Sequence, residues 1–304
     1  MGAAACLVSA ACFGAMAVFG KLAYANGVSP AALLLVRFTL AALLLGLLSL
    51  VLRRRSDPRT TLPLPRPGSR VVVTALALGA VGYAAQATLY FSALELMDAS
   101  LLSLIFYTYP VLVTVSAVLL GREQLTAARV AALATATGGV LLVLLGAGGV
   151  NFSSGGALLA FGAASVYTGY ILVSDTVVHQ VPPVPLSALV MAGAAMTLAG
   201  RAALTGGVDL SFGVRGWLWL VCIAVVSTVV AMLAFFAGLR RTGPSTAAIL
   251  STFEPVVTTT LATIALAELL TPVQLAGGLL VLASAAVVQL HRAADDAATS
   301  RCID

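Results

Sequence analysis

Residues 91–126 read FSALELMDASLLSLIFYTYPVLVTVSAVLLGREQLT, and residues 236–271 read FAGLRRTGPSTAAILSTFEPVVTTTLATIALAELLT. The 145-residue offset that carries Phe91 onto Phe236 also pairs Leu94 with Leu239, Ser100 with Ser245, Pro110 with Pro255, Val111 with Val256 and Thr114 with Thr259. Further along it pairs Ala117 with Ala262, Glu123 with Glu268, Leu125 with Leu270 and Thr126 with Thr271, with no gap. Apolar matches arise by chance in an apolar chain, but Pro, Glu and Thr matches at one offset do not. The segment is therefore duplicated. A weaker echo, Phe13-Gly14-Ala15 and Phe161-Gly162-Ala163, relates the first apolar run to the sixth.

Outward from these segments the chain is apolar almost throughout. Of its 304 residues 61% are hydrophobic and 9% charged, which is too apolar for a water-soluble domain of this length. A hydrocarbon core about 30 Å thick needs about 20 apolar residues per helical span. Runs of that length recur at residues 3–24, 30–52, 71–94, 99–120, 127–148, 155–175, 185–203, 216–239, 244–267 and 271–290. The expected fold is an all-α integral membrane protein of ten transmembrane helices. Residues 1–148 form the first repeat, residues 155–290 the second, and residues 291–304 a tail. Five is odd, so the second repeat enters the membrane upside down relative to the first. The stretch 53–70, RRRSDPRTTLPLPRPGSR, carries prolines and charge that forbid a helix in lipid, and reads as a solvated loop.

The net charge of +5 does not mark a nucleic-acid partner, because the basic residues sit in the short connections between apolar runs. With a cytoplasmic N-terminus, the inner side holds Arg53, Arg54, Arg55, Arg59, Arg66, Arg70, Arg122, Arg129, Arg240, Arg241, Arg292 and Arg301. The outer side holds only Lys21, Arg201 and Arg215. The excess of inner arginines places both termini in the cytoplasm, and the expected location is the cell (inner or plasma) membrane. The first run starts at Met1 with no basic region before it, and reads as a retained span rather than a secretory signal. Cys6, Cys12, Cys222 and Cys302 lack metal-ligand spacing, so neither a disulfide framework nor a metal nor another cofactor is expected.

The residues most costly to keep in lipid are the most informative. Glu254 lies ten residues into the ninth run, about 15 Å along a helix, near the bilayer midplane. Its carboxyl must be neutral, paired or wet. It either couples proton movement to transport, or holds a cationic group, or bonds a neighbouring helix and fixes packing. Pro255 removes a donor to the carbonyl of Ser251, and Pro110 does the same for Phe106, so two corresponding helices are broken near mid-membrane. Paired breaks of this kind mark binding sites in inverted-repeat transporters, while a single proline is an ordinary kink.

Polar faces appear at Gly79, Tyr83, Gln86 and Tyr90, at Ser100, Ser103, Tyr107 and Thr114, and at Tyr167, Tyr170 and Ser174. Single hydroxyls of this kind are better read as interhelical hydrogen bonds, but Tyr83, Gln86, Tyr90 and Tyr107 together read as the wall of a solute cavity. Arg37 lies about 10 Å from the outer end of its span. It either attracts an anionic group or snorkels to the interface as an anchor. Glu123 and Glu268 read as structural, and Thr271-Pro272-Val273-Gln274 has the form of a capped helix start. Small residues at Ala131, Thr135, Gly139, Gly277 and Gly278 allow close helix contact, within the fold or in a homodimer.

Pro110, the GREQLT turn, the FEPV of the ninth run, AELLTPVQLAGG and the early Arg37 together resemble the EamA branch of the drug/metabolite transporter superfamily. The resemblance covers essentially the whole chain. It implies a central cavity between the repeats and a cargo drawn from amino acids, other metabolites, nucleotide sugars or drugs, commonly exported. An ATP-driven pump is disfavoured, because Lys21 is the one lysine and Leu22 follows it, so no GxxxxGK[ST] loop exists. A membrane-embedded enzyme lacks an inventory, with His179 and His291 as the two histidines and no HExxH. A non-transporting scaffold is the remaining alternative. The expected protein is a secondary exporter of amino acids or related amphipathic solutes, with multidrug or amine efflux as the second reading. Its partners are a small solute and the lipid bilayer.

Overall fold

The computed structural model describes residues 2–55, 68–121, 127–145, 153–178, 180–242, 250–251 and 253–284. The 56–67 part of the basic loop, Glu123, Ser245 with the start of the ninth run, and the 291–304 tail lie outside the described residues. Among the described residues every regular element is helical. In chain order they are α1 (Gly2–Tyr24), α2 (Pro30–Arg55), α3 (Ser69–Leu96), α4 (Ala99–Phe106), α5 (Tyr109–Leu119) and α6 (Ala127–Leu145). The second half gives α7 (Ser154–Val178), α8 (Pro183–Leu204), α9 (residues 214–242), α10 (Glu254–Leu266) and α11 (Pro272–Ser284).

Seven of these stretches are long and apolar enough to cross a membrane: α1, α2 through Leu52, α3, the α4–α5 pair, α7 through Ser174, α8, and α9 through Phe235. The described parts of α10 and α11 are shorter apolar helices. The aliphatic side chains facing outward, such as Leu43, Leu47, Val81, Leu158 and Ile264, are what a lipid solvent requires.

The two halves of the sequence interleave rather than forming separate bodies. α1 packs chiefly against α9 and α10, α2 against α8, and the second part of α3 against α7, while α1 and α2 scarcely touch. Glycine decides how close these helices come. A Cβ on Gly79 would strike the Val190 carbonyl, and one on Gly193 would strike the Leu76 carbonyl, so α3 and α8 meet backbone to backbone. Gly79 therefore serves this crossing rather than the polar face expected of it. Gly139 and Gly277 form a similar contact between α6 and α11, and Gly278 abuts Leu104. These small residues are used within one chain.

Both α3 and α9 contain a π-helical turn, at Leu78–Tyr83 and Val225–Val230, which the periodicity of the sequence does not announce. The proline breaks are present. α4 ends at Phe106 and α5 resumes at Tyr109 with Pro110 second, while α10 begins at Glu254 with Pro255 second.

Glu268 is structural in a specific way. Its carboxylate accepts from the backbone N–H of Ala99 and of Ser100 and from the Ser100 hydroxyl, each at 3.0 Å. Asp98, the residue before α4, makes no side-chain cap, so the helix is capped from the opposite half. Burial and the neighbouring Glu268 carboxylate push the Asp98 carboxyl above its ordinary range, and Lys21 pulls it down. Thr271 and Gln274 form a reciprocal capping box, Thr271 N–H to Gln274 Oε1 at 2.8 Å and Gln274 N–H to Thr271 Oγ1 at 3.2 Å.

The cap makes a prediction. Glu268→Ala leaves three donors at the start of α4 without their acceptor and is expected to cost about 1–2 kcal/mol. A thermal melt of the detergent-purified protein would show it, and a midpoint equal to wild type would mean that water replaces the carboxylate without loss.

Candidate functional site

A cavity of about 410 Å³ opens where the broken helices meet α1, α2, α3, α7, α8 and α9. The break in α4–α5 positions its aromatic wall. At Tyr107 and Thr108 the chain leaves the α4 helix, so Tyr107 turns inward and its hydroxyl donates to the Ser251 carbonyl. That carbonyl is the one Pro255 cannot reach with an N–H. Tyr107 is thus nearly fully buried, at 2% exposure, and Tyr109 takes the place at the cavity wall expected of it. The correction has a physical cause: satisfying a carbonyl released by a proline outranks lining a cavity.

Tyr109 is the site residue that sequence reasoning missed. The signal was present, because the 145-residue offset places Tyr109 opposite Glu254, and each is the first residue of the helix that resumes after a break. Pro110 and Pro255 are themselves buried behind the wall rather than lining it.

The remaining predicted residues come together. Tyr83, Gln86 and Tyr90 project from α3, Tyr167, Tyr170 and Ser174 from α7, Arg37 from α2, and Glu254 from the start of α10. The aromatic rings form a continuous belt. Tyr83 meets Tyr170 at 5.4 Å, Tyr170 stacks on Tyr167 at 5.8 Å, Tyr167 meets Tyr109 edge-on at 4.9 Å, and Tyr109 meets Tyr107 at 5.4 Å. Phe106 closes the belt toward Tyr90 at 5.2 Å. Such a belt offers ring faces to an apolar or cationic group and hydroxyls to a polar one. From α8 come Ser187, Val190 and Met191, and from α9 Met232 and Phe235, for which the sequence holds no distinguishing pattern.

Two residues of opposite charge type share this cavity. Arg37 is 2% exposed, donates from Nε to Thr228 Oγ1 at 3.0 Å, and lies over the rings of Phe38 and Phe91 at 5.1 and 5.5 Å. It does not snorkel to a surface in this structure. Glu254 faces the cavity. Its backbone is held tightly. The Thr258 hydroxyl bridges the Gly14 carbonyl at 2.9 Å and the Glu254 carbonyl at 3.1 Å, and a Cβ on Gly14 would meet the Glu254 carbonyl at 2.8 Å.

A matched pair of labelling positions tests this geometry. With the native cysteines replaced, Ser174→Cys is expected to react with a small water-soluble thiol reagent and Tyr107→Cys to stay protected. The reverse order of reactivity would mean that the wall is drawn wrongly.

The profile of the EamA-like transporter family matches residues 1–145 and again residues 154–290. The chain is 27% identical over 279 residues to the uncharacterized transporter YcbK of Bacillus subtilis (strain 168), covering 89% of this chain and 87% of that one. A protein chain of known crystal structure superposes with a TM-score of 0.65 at 21% identity, over 95% of this chain and 97% of the other, which speaks for a shared fold.

Proposed function

The chain belongs to the EamA-like transporter family, a multi-pass membrane family, and from that premise we propose a secondary exporter that carries a small amphipathic metabolite, such as an amino acid, through the central cavity. The observation that carries this reading is the cavity itself. Its volume of about 410 Å³ lies within the usual range of small-molecule sites, and it sets one cationic and one carboxyl side chain into an aromatic wall. A solute with a polar end and an apolar body fits that composition.

The proposed architecture is ten spans in two inverted repeats, residues 1–148 and 155–290, followed by a tail at residues 291–304. Four things support it: the doubled family match, the paired helix breaks at Tyr109 and Glu254, the paired π turns, and the clustering of arginine on one side of the sequence topology. With both termini cytoplasmic, the cell membrane is the proposed location.

Alternating access gives Glu254 its role. Ionising a carboxyl in a dry midplane costs several kcal/mol, so its protonation follows whichever side admits water or a cationic group. A proton released on one side and a solute taken there share one group, which couples their movements in opposite directions. The aromatic belt beside a carboxyl also supports a second reading, efflux of lipophilic amines.

Flux into vesicles reconstituted with the purified protein, screened across amino acids and cationic amines, separates these readings from a scaffold or an enzyme. Glu254→Gln keeps size and hydrogen-bonding ability while removing titration. It is expected to flatten the pH dependence of flux and lower the rate by about tenfold, equivalent to about 1.4 kcal/mol. A Gln variant with wild-type rate and pH profile would assign Glu254 to packing. Orientation is checked separately: a cysteine placed between Arg53 and Arg70 is expected to react only from the cytoplasmic side, and labelling from outside would invert the topology.

A further inference from the structure

The π turn in α9 contains a buried hydroxyl that no described residue satisfies. Ser227 is fully buried, and among the described residues its Oγ has no hydrogen-bond partner. Its neighbour Thr228 is fully engaged, donating to the Ile223 carbonyl five residues back at 2.9 Å and accepting from Arg37 Nε at 3.0 Å. Elsewhere in this protein helical hydroxyls reach four residues back, as Thr88 does to Ala84, Thr168 to Ala164 and Thr260 to Val256. Four residues back from Ser227 is Ile223, the carbonyl that Thr228 already occupies. The two hydroxyls therefore compete for one acceptor. In the π register Thr228 holds it and Ser227 is orphaned. In an ordinary α register Ser227 would hold it, and Thr228 would be released.

Arg37 bonds the hydroxyl that holds the π register. It fixes the Thr228 hydroxyl in the π arrangement, and its guanidinium also engages the Tyr83 hydroxyl, the last residue of the π turn in α3. All of these partners are neutral, and no carboxylate of the described residues pairs with it. A guanidinium bonds a charged acceptor about twice as strongly as a neutral one. An anionic group entering the cavity would therefore draw Arg37 away from Thr228. Resting on the reading that the cavity holds the solute, we propose that Val225–Val230 is a two-register switch, held in the π form by Arg37 and thrown when a carboxylate or similar anionic group of the solute binds that guanidinium.

Loss of the extra residue in the turn would move Ala231–Thr242 against Val214–Ala224 by about 1.5 Å and about 100°. That portion of α9 carries Met232 and Phe235 of the cavity wall. It also packs on α1, where the Ser9 hydroxyl donates to the Ala231 carbonyl at 2.8 Å. The binding event at Arg37 is thereby turned into movement of a wall and of the first helix.

The test reads the register from the reactivity of a cysteine. In full-length protein with its native cysteines replaced, Met232→Cys reports α9, and Ser187→Cys on α8 reports simple occlusion of the cavity. The probes are sodium 4-methylpentanoate and its neutral amide. The acid is expected to lower labelling at Met232→Cys several-fold with a much smaller effect at Ser187→Cys, and the amide to leave both unchanged. Thr228→Val should lower Met232→Cys labelling without any probe, Thr228→Ser should restore it, and Ser227→Ala should blunt the response to the acid.

Equal effects of acid and amide, or no effect of either, would overturn the anionic trigger. Labelling in Thr228→Val equal to that of the parent would overturn the switch. Flux measured on the same preparation keeps the two ideas apart: a response to the acid in a protein that moves no solute would leave the switch standing and remove the transporter reading.

Discussion

A backbone carbonyl in the middle of a membrane has no water to fall back on, and a proline four residues downstream takes away its helical donor. The Ser251 carbonyl lacks such a donor because of Pro255, and the hydroxyl of Tyr107 from the other half satisfies it. Much of the site follows from that bond. It draws Tyr107 out of the cavity, turns the chain at Thr108, and restarts the helix at Tyr109 so that its ring faces Tyr167. It also ties the break in one half to the break in the other, leaving Glu254 at the first turn of a resumed helix and facing the same space.

The tie between halves is repeated by other groups of different chemistry. Glu268 caps α4, Thr258 bonds the Gly14 carbonyl, Thr197 bonds the Ala80 carbonyl at 2.8 Å, and Arg37 bonds Thr228. Interhelical bonds of this kind are worth only about 0.6–2 kcal/mol each in a membrane. Their effect lies in number and placement. Those of Thr258 and Arg37 join buried groups whose alternative is an unsatisfied polar atom away from water, so the interleaved arrangement of α1, α2 and their partners is specified rather than merely permitted.

Much of this was legible in the sequence, and the limits have physical causes. Apolar runs reveal helices because lipid imposes that pattern on any chain that spans it, and the offset pair Pro110 and Pro255 marks the two breaks. Tyr83, Gln86, Tyr90, Tyr167, Tyr170, Arg37 and Glu254 stand out as polar groups that lipid does not reward, and the cavity collects them. Sequence spacing sets Tyr107 on the cavity face because it assumes an unbroken helix, while the direction of a side chain near a break depends on which carbonyl needs a donor. The π turns are invisible to periodicity, since Leu78–Tyr83 and Val225–Val230 each add a residue within one turn of otherwise ordinary composition. Gly79 looked like part of a polar face, but backbone crossing with α8 claims it.

The bond between Arg37 and Thr228 joins residues 191 positions apart, and this bears on how the chain is made. At ribosomal rates of about 5–20 residues per second, roughly 10–40 s separate the synthesis of the two. Throughout that interval α2 carries an arginine into the membrane with no α9 to receive it. Its position about seven residues from one helix end leaves the long side chain able to reach the headgroups meanwhile, which an arginine at the exact centre could not do as readily. The depth of Arg37 thus suits two environments in succession, the lipid surface during biogenesis and the cavity wall of the finished protein.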